Sequence, residues 1–264
     1  MARPIITLTT DFGTNDHLVG VMKGVILSIN PEVNIVDITH SVLPHDLLDG
    51  ALTIGQAYKY FPPKTVHLVV VDPGVGSARR PILVAGDTHY FVAPDNGVLS
   101  SVYDQTEALY VWNIISEHYF RQPVSKTFHG RDVFAPVAAW LTKSWQSSAF
   151  GEAITDYARF AMPKPKTAGN TIKGVVLRVD QFGNLITNLR AEDVPAFAAA
   201  DGKFTIRAGN ATVTKLVPTF SSGANGEAIG LIGSSGYLEI SVNKANASRT
   251  LAIGRGAEIT VEVS

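Results

Sequence analysis

The chain has 264 residues, of which 45% are hydrophobic and 17% charged, and its formal net charge is −1. This composition provides enough apolar side chain for a sizeable core, and it argues against extended disorder and against non-specific binding to nucleic acid or acidic membranes. The absence of cysteine excludes disulfides and thiolate metal sites. Without a signal-peptide pattern or an apolar run of roughly 18 residues, we expect a cytoplasmic protein with no membrane partner.

Strands and helices alternate along the first 161 residues. This alternation predicts an α/β domain (1–161) with a mostly parallel central sheet. The predicted strands are Ile5–Thr10, Val33–Ile38, Val66–Val71, Ile82–Ala85, Tyr90–Ala93 and Leu109–Ile114, and the predicted helices are Asp16–Ile29, Leu47–Tyr60 and Val133–Leu141.

The pattern changes after about Tyr157. Residues 162–170, MPKPKTAGN, have the composition of a linker. From 171 to 264 the segments are short and β-like, with glycine and asparagine turns, which predicts an all-β, barrel-like domain. The predicted strands are Ile172–Val179, Leu185–Leu189, Phe204–Arg207, Thr212–Val217, Ala228–Ile232, Leu238–Val242 and Ile259–Val263.

Four predicted strands of the first domain end in or near an aspartate: Asp11, Asp37, Asp72 and Asp95. Each one alone is typical of a turn. Because parallel strands end at the same edge of a sheet, we expect the four to form a polar rim where open α/β sheets bind ligands.

Asp72 is the strongest chemical candidate, because it follows the most apolar strand directly. Arg79 and Arg80 come after a glycine-bearing loop, and either guanidinium can fold back onto this carboxylate. Gly74-Val75-Gly76 is not a dinucleotide fingerprint, because a strand follows where that motif requires a helix. His129, on a glycine-flanked turn before a helix, is a candidate to face the same crevice.

The polar loop after the second strand offers a metal-binding alternative. His40, His45, Asp46 and Asp49 are ligand types for a hard or borderline cation. Histidines beside carboxylates are common in loops, so no metal is predicted there.

Five segments together resemble one enzyme family: TTDFGTNDHLVGVMKG, VDPGVGSARRP, FHGRDVFAP, VDQFGNLITN and GSSGYLEISVN. In this order they are similar to the S-adenosyl-L-methionine (SAM) hydroxide adenosyltransferases, relatives of the fluorinases and chlorinases. The resemblance extends from Ile5 to about Ser248. It implies an N-terminal α/β domain, a C-terminal β-barrel and a homotrimer whose active sites lie between the first domain of one subunit and the second domain of its neighbour.

The resemblance also implies roles for individual residues. Asp72, Arg79 and His129 match the water-activating triad, and Asp11 matches the carboxylate that holds the ribose hydroxyls. Asp16 and Asp180 lie where the family binds the methionine amino group. The remaining implied substrate-binding residues are His45, Phe128, Phe182, Asn184, Ser234, Ser235, Glu239, Asn246 and Ala247.

Departures from the halogenating relatives point to water as the nucleophile. Where the fluorinase has a tyrosine, a tryptophan, a tyrosine and a halide-contacting serine, this chain has Asp72, His45, His129 and Gly130. A carboxylate about 4 Å from a halide repels it by roughly 4 kcal/mol at an effective dielectric constant of 20. Water tolerates that carboxylate and can donate a hydrogen bond to it.

The sequence therefore predicts an enzyme that hydrolyses SAM to adenosine and L-methionine, with no cofactor. Water would be oriented and deprotonated by Asp72 and His129, while Arg79 would favour developing hydroxide. Three alternatives stay open: a SAM-dependent halogenase, a non-catalytic SAM or adenosine sensor, and a metal-dependent hydrolase that uses the loop from His40 to Asp49.

Overall fold

The chain folds into two units, Met1–Met162 and Pro163–Ser264, each built around its own sheet. The structure is a computed structural model that describes residues 3–199 and 202–264. Within these described ranges, no helix is long and apolar enough to cross a membrane.

The first unit contains a mixed seven-stranded sheet. Its strands are β1 (Ile5–Thr10), β2 (Asn34–Thr39), β3 (Val66–Val70), β4 (Pro81–Ala85), β5 (Tyr90–Pro94), β6 (Tyr110–Ile114) and β7 (Gly151–Ile154), in the spatial order β2-β1-β3-β5-β4-β6-β7. The first four strands in this order are parallel, and every pair from β5 to β7 is antiparallel. The predicted α/β class is confirmed, with a sheet that is parallel in its first half only.

The helices of the first unit are α1 (Leu18–Ile29), α2 (Leu47–Ala57), α3 (Ser100–Tyr103) and α4 (Ala135–Ser144). Val19, Met22 and Ile26 of α1 recur at helical spacing and are buried. All five residues of β3 are buried, as expected for a strand covered on both faces. This packing fixes the ends of β1, β3 and β5, which carry the aspartates.

The second unit is all-antiparallel and nearly closed, as the predicted barrel-like class requires. Its strands are β8 (Lys166–Ala168), β9 (Thr171–Val179), β10 (Leu185–Arg190), β11 (Phe204–Ala208), β12 (Ala211–Val213), β13 (Ala228–Ile232), β14 (Tyr237–Val242) and β15 (Glu258–Val263), in the order β12-β11-β15-β9-β10-β14-β13, with β8 paired to β9. A short helix, α5 (Ala247–Leu251), follows β14.

Several elements differ from the predicted ones. β8 lies inside the segment predicted as a linker, because Lys166–Ala168 pair with the start of β9. β7 was not predicted, since only four residues pair with β6 and two of them are exposed. The predicted helix at Val133 begins with a π-helical turn, Gly130–Phe134, and continues as α4.

Candidate functional site

Asp72, Arg79 and His129 are in contact at the carboxyl edge of the first sheet. Arg79 Nε donates to Asp72 Oδ1 at 2.9 Å, and Arg79 Nη2 donates to Asp72 Oδ2. The same Nη2 lies 2.8 Å from His129 Nδ1. The structure therefore brings together three side chains that are up to 57 positions apart in sequence.

This ion pair is largely removed from solvent. The side chains of Asp72 and Arg79 are only 5% and 9% exposed. The Arg79 guanidinium carbon lies 5.2 Å from the centre of the Phe134 ring. Arg79 meets Asp72 with its Nε and Nη2 edge, so its Nη1 points away from the carboxylate, and Nη1 is buried with no hydrogen-bond partner within the described part of the chain.

The contact with Arg79 determines which nitrogen of His129 carries the proton. A guanidinium has donors and no acceptor, so His129 Nδ1 must accept this hydrogen bond. The neutral ring therefore carries its proton on Nε2. Burial lowers the pKa of His129, and the positive charge of Arg79 lowers it further, against weaker opposing effects of Asp72 and Asp132. His129 is thus a neutral Nε2–H donor toward any ligand.

Arg80 belongs to a different ion-pair network. Its Nε donates to Asp95 Oδ2 at 2.9 Å, and its Nη1 donates to Asp156 Oδ1 at 2.9 Å. Arg79, and not Arg80, is therefore the guanidinium that contacts Asp72. The carboxylate of Asp95 at the end of β5 is occupied by Arg80 and by the backbone N–H of Ala158.

The π-helical turn around His129 is held by a buried carboxylate. Asp132 is fully buried, and it accepts hydrogen bonds from Arg131 at 2.7 Å and from the Ser125 N–H at 2.9 Å. Burial raises the pKa of Asp132, but the hydrogen bonds from Arg131 and Ser125 outweigh it and leave that pKa below its ordinary value. Asp132 thereby anchors the turn that presents His129.

Aromatic packing joins this turn to the loop after β1. The rings of Phe12 and Phe128 meet edge to face, with centroids 6.0 Å apart. A side-chain carbon at Gly130 would lie 3.2 Å from Met22 Sδ, 3.2 Å from Phe128 and 3.5 Å from Phe12. The space above Gly130 is therefore already filled.

Asp11 is held by the loop that carries His45. Asp11 Oδ2 accepts the His45 backbone N–H at 2.8 Å, and His45 has a positive φ of 64°. Within the described residues, the other oxygen of the Asp11 carboxylate accepts no hydrogen bond and can meet a ligand. His45 is exposed, so its backbone and not its ring meets Asp11.

Other residues of that loop and of its neighbour have structural partners. His40 Nδ1 lies 2.8 Å from Thr10 Oγ1, and its Nε2 lies 3.1 Å from Asp37 Oδ1. These contacts give His40 and Asp37 structural roles. Asp46 caps α2, and Asp16 accepts the Leu18 N–H at the start of α1. The described residues contain no group of three or more His, Cys, Asp or Glu arranged to hold a metal ion.

A second set of predicted residues lines a cavity of about 730 Å³ in the barrel unit. Its volume lies within the range of small-molecule sites. Two exposed rings, Phe182 and Phe220, line it, with Ser241 at its buried side. The predicted residues on its wall are Asp180, Phe182, Asn184, Ser234, Glu239 and Asn246.

Two predicted residues do not line this cavity. Ser235 lies in the turn between β13 and β14, and Ala247 is fully buried as the first residue of α5. Phe220 and Ser241 are among the wall residues that the sequence did not predict. Ser241 was within reach of sequence reasoning, because residues two apart on a strand share a face and Ser241 follows Glu239 by two. For Phe220, which lies in a turn outside any strand, we find no such signal.

Both units are similar to the domains of one known protein family. Residues 6–151 match the SAM hydroxide adenosyltransferase N-terminal domain, and residues 174–260 match the C-terminal domain of the same family. Several curated relatives at 33–37% identity are named (R)-S-adenosyl-L-methionine hydrolase.

Individual relatives match over nearly their full length. The (R)-S-adenosyl-L-methionine hydrolase of Methanocaldococcus jannaschii is 37% identical over 97% of this chain and 95% of its own length. An uncharacterized conserved protein from Thermotoga maritima, of solved structure, is 37% identical with a TM-score of 0.90 over 97% of this chain and 99% of that one. A fluorinase from an Actinoplanes species is more distant, at 30% identity over 98% of this chain and 97% of its own. The chain belongs to the SAM hydroxide adenosyltransferase family.

Proposed function

We propose that this protein is an enzyme that hydrolyses SAM to adenosine and L-methionine, by attack of a water-derived oxygen on the ribose C5′ carbon. The observation that carries the proposal is the buried contact among Asp72, Arg79 and His129. The hydrolase names of the relatives at 33–37% identity support the same activity.

The surroundings of this triad favour water over halide. The Asp72 carboxylate accepts a hydrogen bond from water, whereas its negative charge repels a halide anion. Gly130 lies under Met22, Phe12 and Phe128, so this chain has neither the hydroxyl nor the empty space of a halide-contacting serine.

The geometry gives each of the three side chains a different task. Asp72 supplies the acceptor for a proton of the attacking water, because each of its oxygens keeps a lone pair after bonding Arg79. His129 Nε2–H is a donor for that oxygen, and the positive charge of Arg79 stabilises its hydroxide character. His129 thus orients water and does not deprotonate it, which changes the role predicted for it.

The substrate supplies its own leaving group. As the new C5′–O bond forms, the C5′–S bond breaks and its electron pair returns to the sulfonium sulfur, which leaves as the neutral thioether of methionine. No acid is needed at the sulfur. An anionic nucleophile attacks a cationic substrate, so charge is dispersed in the transition state. A site with little water favours such a reaction, and the side chains of Asp72 and Arg79 are largely buried.

The residues proposed to bind the substrate come from both units of the chain. Asp11 has one carboxylate oxygen left for the ribose hydroxyls, and Phe182 and Asn184 lie on the wall of the barrel cavity. The resemblance to the family supports a homotrimer in which different subunits contribute these two sets of residues. Light scattering tests this, with a mass of three chains expected. The cytoplasmic location stays a prediction.

Incubation of the purified protein with SAM in ¹⁸O-labelled water tests the proposed reaction. We expect equimolar adenosine and methionine, with the label in the adenosine 5′ hydroxyl. Addition of chloride or fluoride should leave the products unchanged, and a halogenated deoxyadenosine would instead identify a halogenase. Tight binding of adenosine without methionine release would identify a sensor and refute hydrolysis.

A further inference from the structure

The loop that carries Asp11 is held by the loop that follows β2. The Gly13 N–H donates to the backbone carbonyl oxygen of His40 at 2.7 Å. The His45 N–H donates to the Asp11 carboxylate at 2.8 Å. The Asp11 side chain and the backbone after it are therefore both fixed by the same neighbouring loop.

His40 also holds the residue before Asp11, through its side chain. Its Nδ1 lies 2.8 Å from Thr10 Oγ1, and both side chains are buried. Thr10 Oγ1 in turn accepts the backbone N–H of Phe12 at 3.3 Å. This hydroxyl group therefore bridges the two chain neighbours of Asp11, and His40 fixes the hydroxyl.

A carboxylate at the other side of the His40 ring sets the direction of these hydrogen bonds. Asp37 Oδ1 lies 3.1 Å from His40 Nε2, and Asp37 Oδ2 accepts from Lys23 Nζ at 2.6 Å. Burial raises the pKa of Asp37, but the hydrogen bonds from Lys23 and His40 outweigh it and leave that pKa below its ordinary value. A carboxylate has only acceptors, so His40 presents Nε2–H to it, and Nδ1 of the neutral ring accepts from the Thr10 hydroxyl. Thr10 Oγ1 keeps its lone pairs for the Phe12 N–H.

A second pair of threonine and histidine lies deeper in the same sheet. Thr7 Oγ1 on β1 lies 2.7 Å from His67 Nδ1 on β3, and both residues are fully buried. Thr7 and His67 are paired in register across the two strands, four residues before Asp11. Of the two pairs, the one beside Asp11 is the one whose histidine continues to a carboxylate, since His67 Nε2 has no hydrogen-bond partner among the described residues.

We infer that His40 is a positioning residue for recognition of the ribose, because it holds the Asp11 carboxylate in place through Thr10 and Gly13. This inference rests on the proposed function, which takes Asp11 as the acceptor for the ribose hydroxyls. Hydrogen bonds from a diol to a carboxylate depend on the position of that carboxylate, so the side chains that support it determine how strongly it selects its ligand. The network from Asp37 to Thr10 thereby sets the preference for ribonucleosides over deoxynucleosides.

Binding of nucleosides to the unmodified full-length protein gives the first test. The probes are adenosine and 2′,3′-dideoxyadenosine, which lacks both ribose hydroxyls. Calorimetry should show that the dideoxynucleoside binds about 10- to 100-fold more weakly, the range expected for loss of hydrogen bonds to a charged group. Equal affinities would refute ribose recognition by Asp11 and with it the role of His40.

A matched pair of threonine variants tests the network itself. Thr10→Val removes the hydroxyl beside Asp11 and should reduce the preference for adenosine about 3- to 10-fold, the effect of one hydrogen bond. Thr7→Val removes the other buried hydroxyl of β1 that meets a histidine, and it should leave the preference unchanged. The inference is wrong if both variants reduce the preference equally, which indicates a general loss of stability, or if neither does.

A second pair of variants assigns the effect to His40. His40→Leu removes the acceptor for the Thr10 hydroxyl and should reduce the preference for adenosine about 3- to 10-fold. His40→Asn places an amide oxygen near the position of Nδ1 and should return the preference to within about 2-fold of that of the unmodified protein. The same preference in both variants would show that an acceptor at this position does not matter.

The labelled-water experiment separates this inference from the proposed function. A protein that hydrolyses SAM, but whose Thr10→Val variant keeps the full preference for adenosine, refutes the role of His40 alone. A protein whose preference falls in Thr10→Val, but that releases no methionine from SAM, refutes hydrolysis and leaves the ribose site in place.

Discussion

His67 should make the first unit lose stability in acid. It is fully buried in β3, its Nδ1 lies 2.7 Å from Thr7 Oγ1, and its ring stacks on Phe91 with centroids 5.1 Å apart. Its Nε2 has no hydrogen-bond partner in the described ranges. Burial lowers the pKa of His67 to about 3, and the neighbouring His89 contributes in the same direction.

The magnitude follows from proton linkage. The unfolded chain binds a proton at His67 below about pH 6.5, whereas the folded chain resists it until about pH 3, so stability falls as the pH drops between these values. At about 1.36 kcal/mol for each pH unit, the free energy of unfolding at pH 5 is lower by about 2 kcal/mol than at pH 7.5 because of this residue alone.

Urea unfolding at the two pH values measures this loss. Tryptophan fluorescence reports on the first unit, because Trp112, Trp140 and Trp145 all lie in it. His67→Gln keeps a polar group near Thr7 and should reduce the pH-dependent loss by about 2 kcal/mol, whereas His118→Gln, at an exposed histidine, should not. Equal losses in the wild type and in His67→Gln would refute the linkage argument.

The other predictions concern the triad and its surroundings. Protonation of His129 at Nδ1 would place an N–H donor against the N–H donor of Arg79 Nη2, so the rate of methionine release should fall in acid with an apparent pKa below 6.5. A rate that already falls with an apparent pKa above 6.5 contradicts this. Arg79→Gln should lower kcat about 100- to 10,000-fold, whereas Arg80→Gln should change it less than about 10-fold, and comparable losses would remove the special role of Arg79. Gly130→Ser should lower the free energy of unfolding by about 1–3 kcal/mol through overpacking and yield no halogenated nucleoside, as checked by urea unfolding and product chromatography. A chelator should leave turnover unchanged, and loss of activity that a divalent metal restores would revive the metal-dependent alternative at residues 40–49.

The sequence predicted the path of the backbone better than the direction of side chains. Asp11 and Asp72 could be placed at one edge because parallel strands end together, and this placement needs only strand direction. Arg79 and Arg80 are adjacent and chemically identical, so only the fold of their loop decides which one turns toward Asp72 and which toward Asp95.

Periodicity of the sequence also failed to predict features that depend on particular side-chain contacts. The π-helical turn at Gly130–Phe134 has no distinct sequence period, and it forms where Asp132 is bound by Arg131 and by the Ser125 N–H. The proton position on His129 depends on Arg79, which lies 50 residues away in sequence. The proton position on His129 is therefore not encoded in its own segment, and the π-helical turn depends in part on Ser125, which lies outside the turn.

The buried ion pair of Asp72 and Arg79 constrains which single substitutions the site can accept. Replacing Asp72 alone leaves a buried guanidinium without its counter-ion, and removing one member of such a pair costs about 3–5 kcal/mol. An ancestor that changed nucleophile by single substitutions would have passed through a destabilised intermediate. Exchange of the carboxylate and the guanidinium together, or prior gain of surplus stability elsewhere, opens a viable evolutionary route.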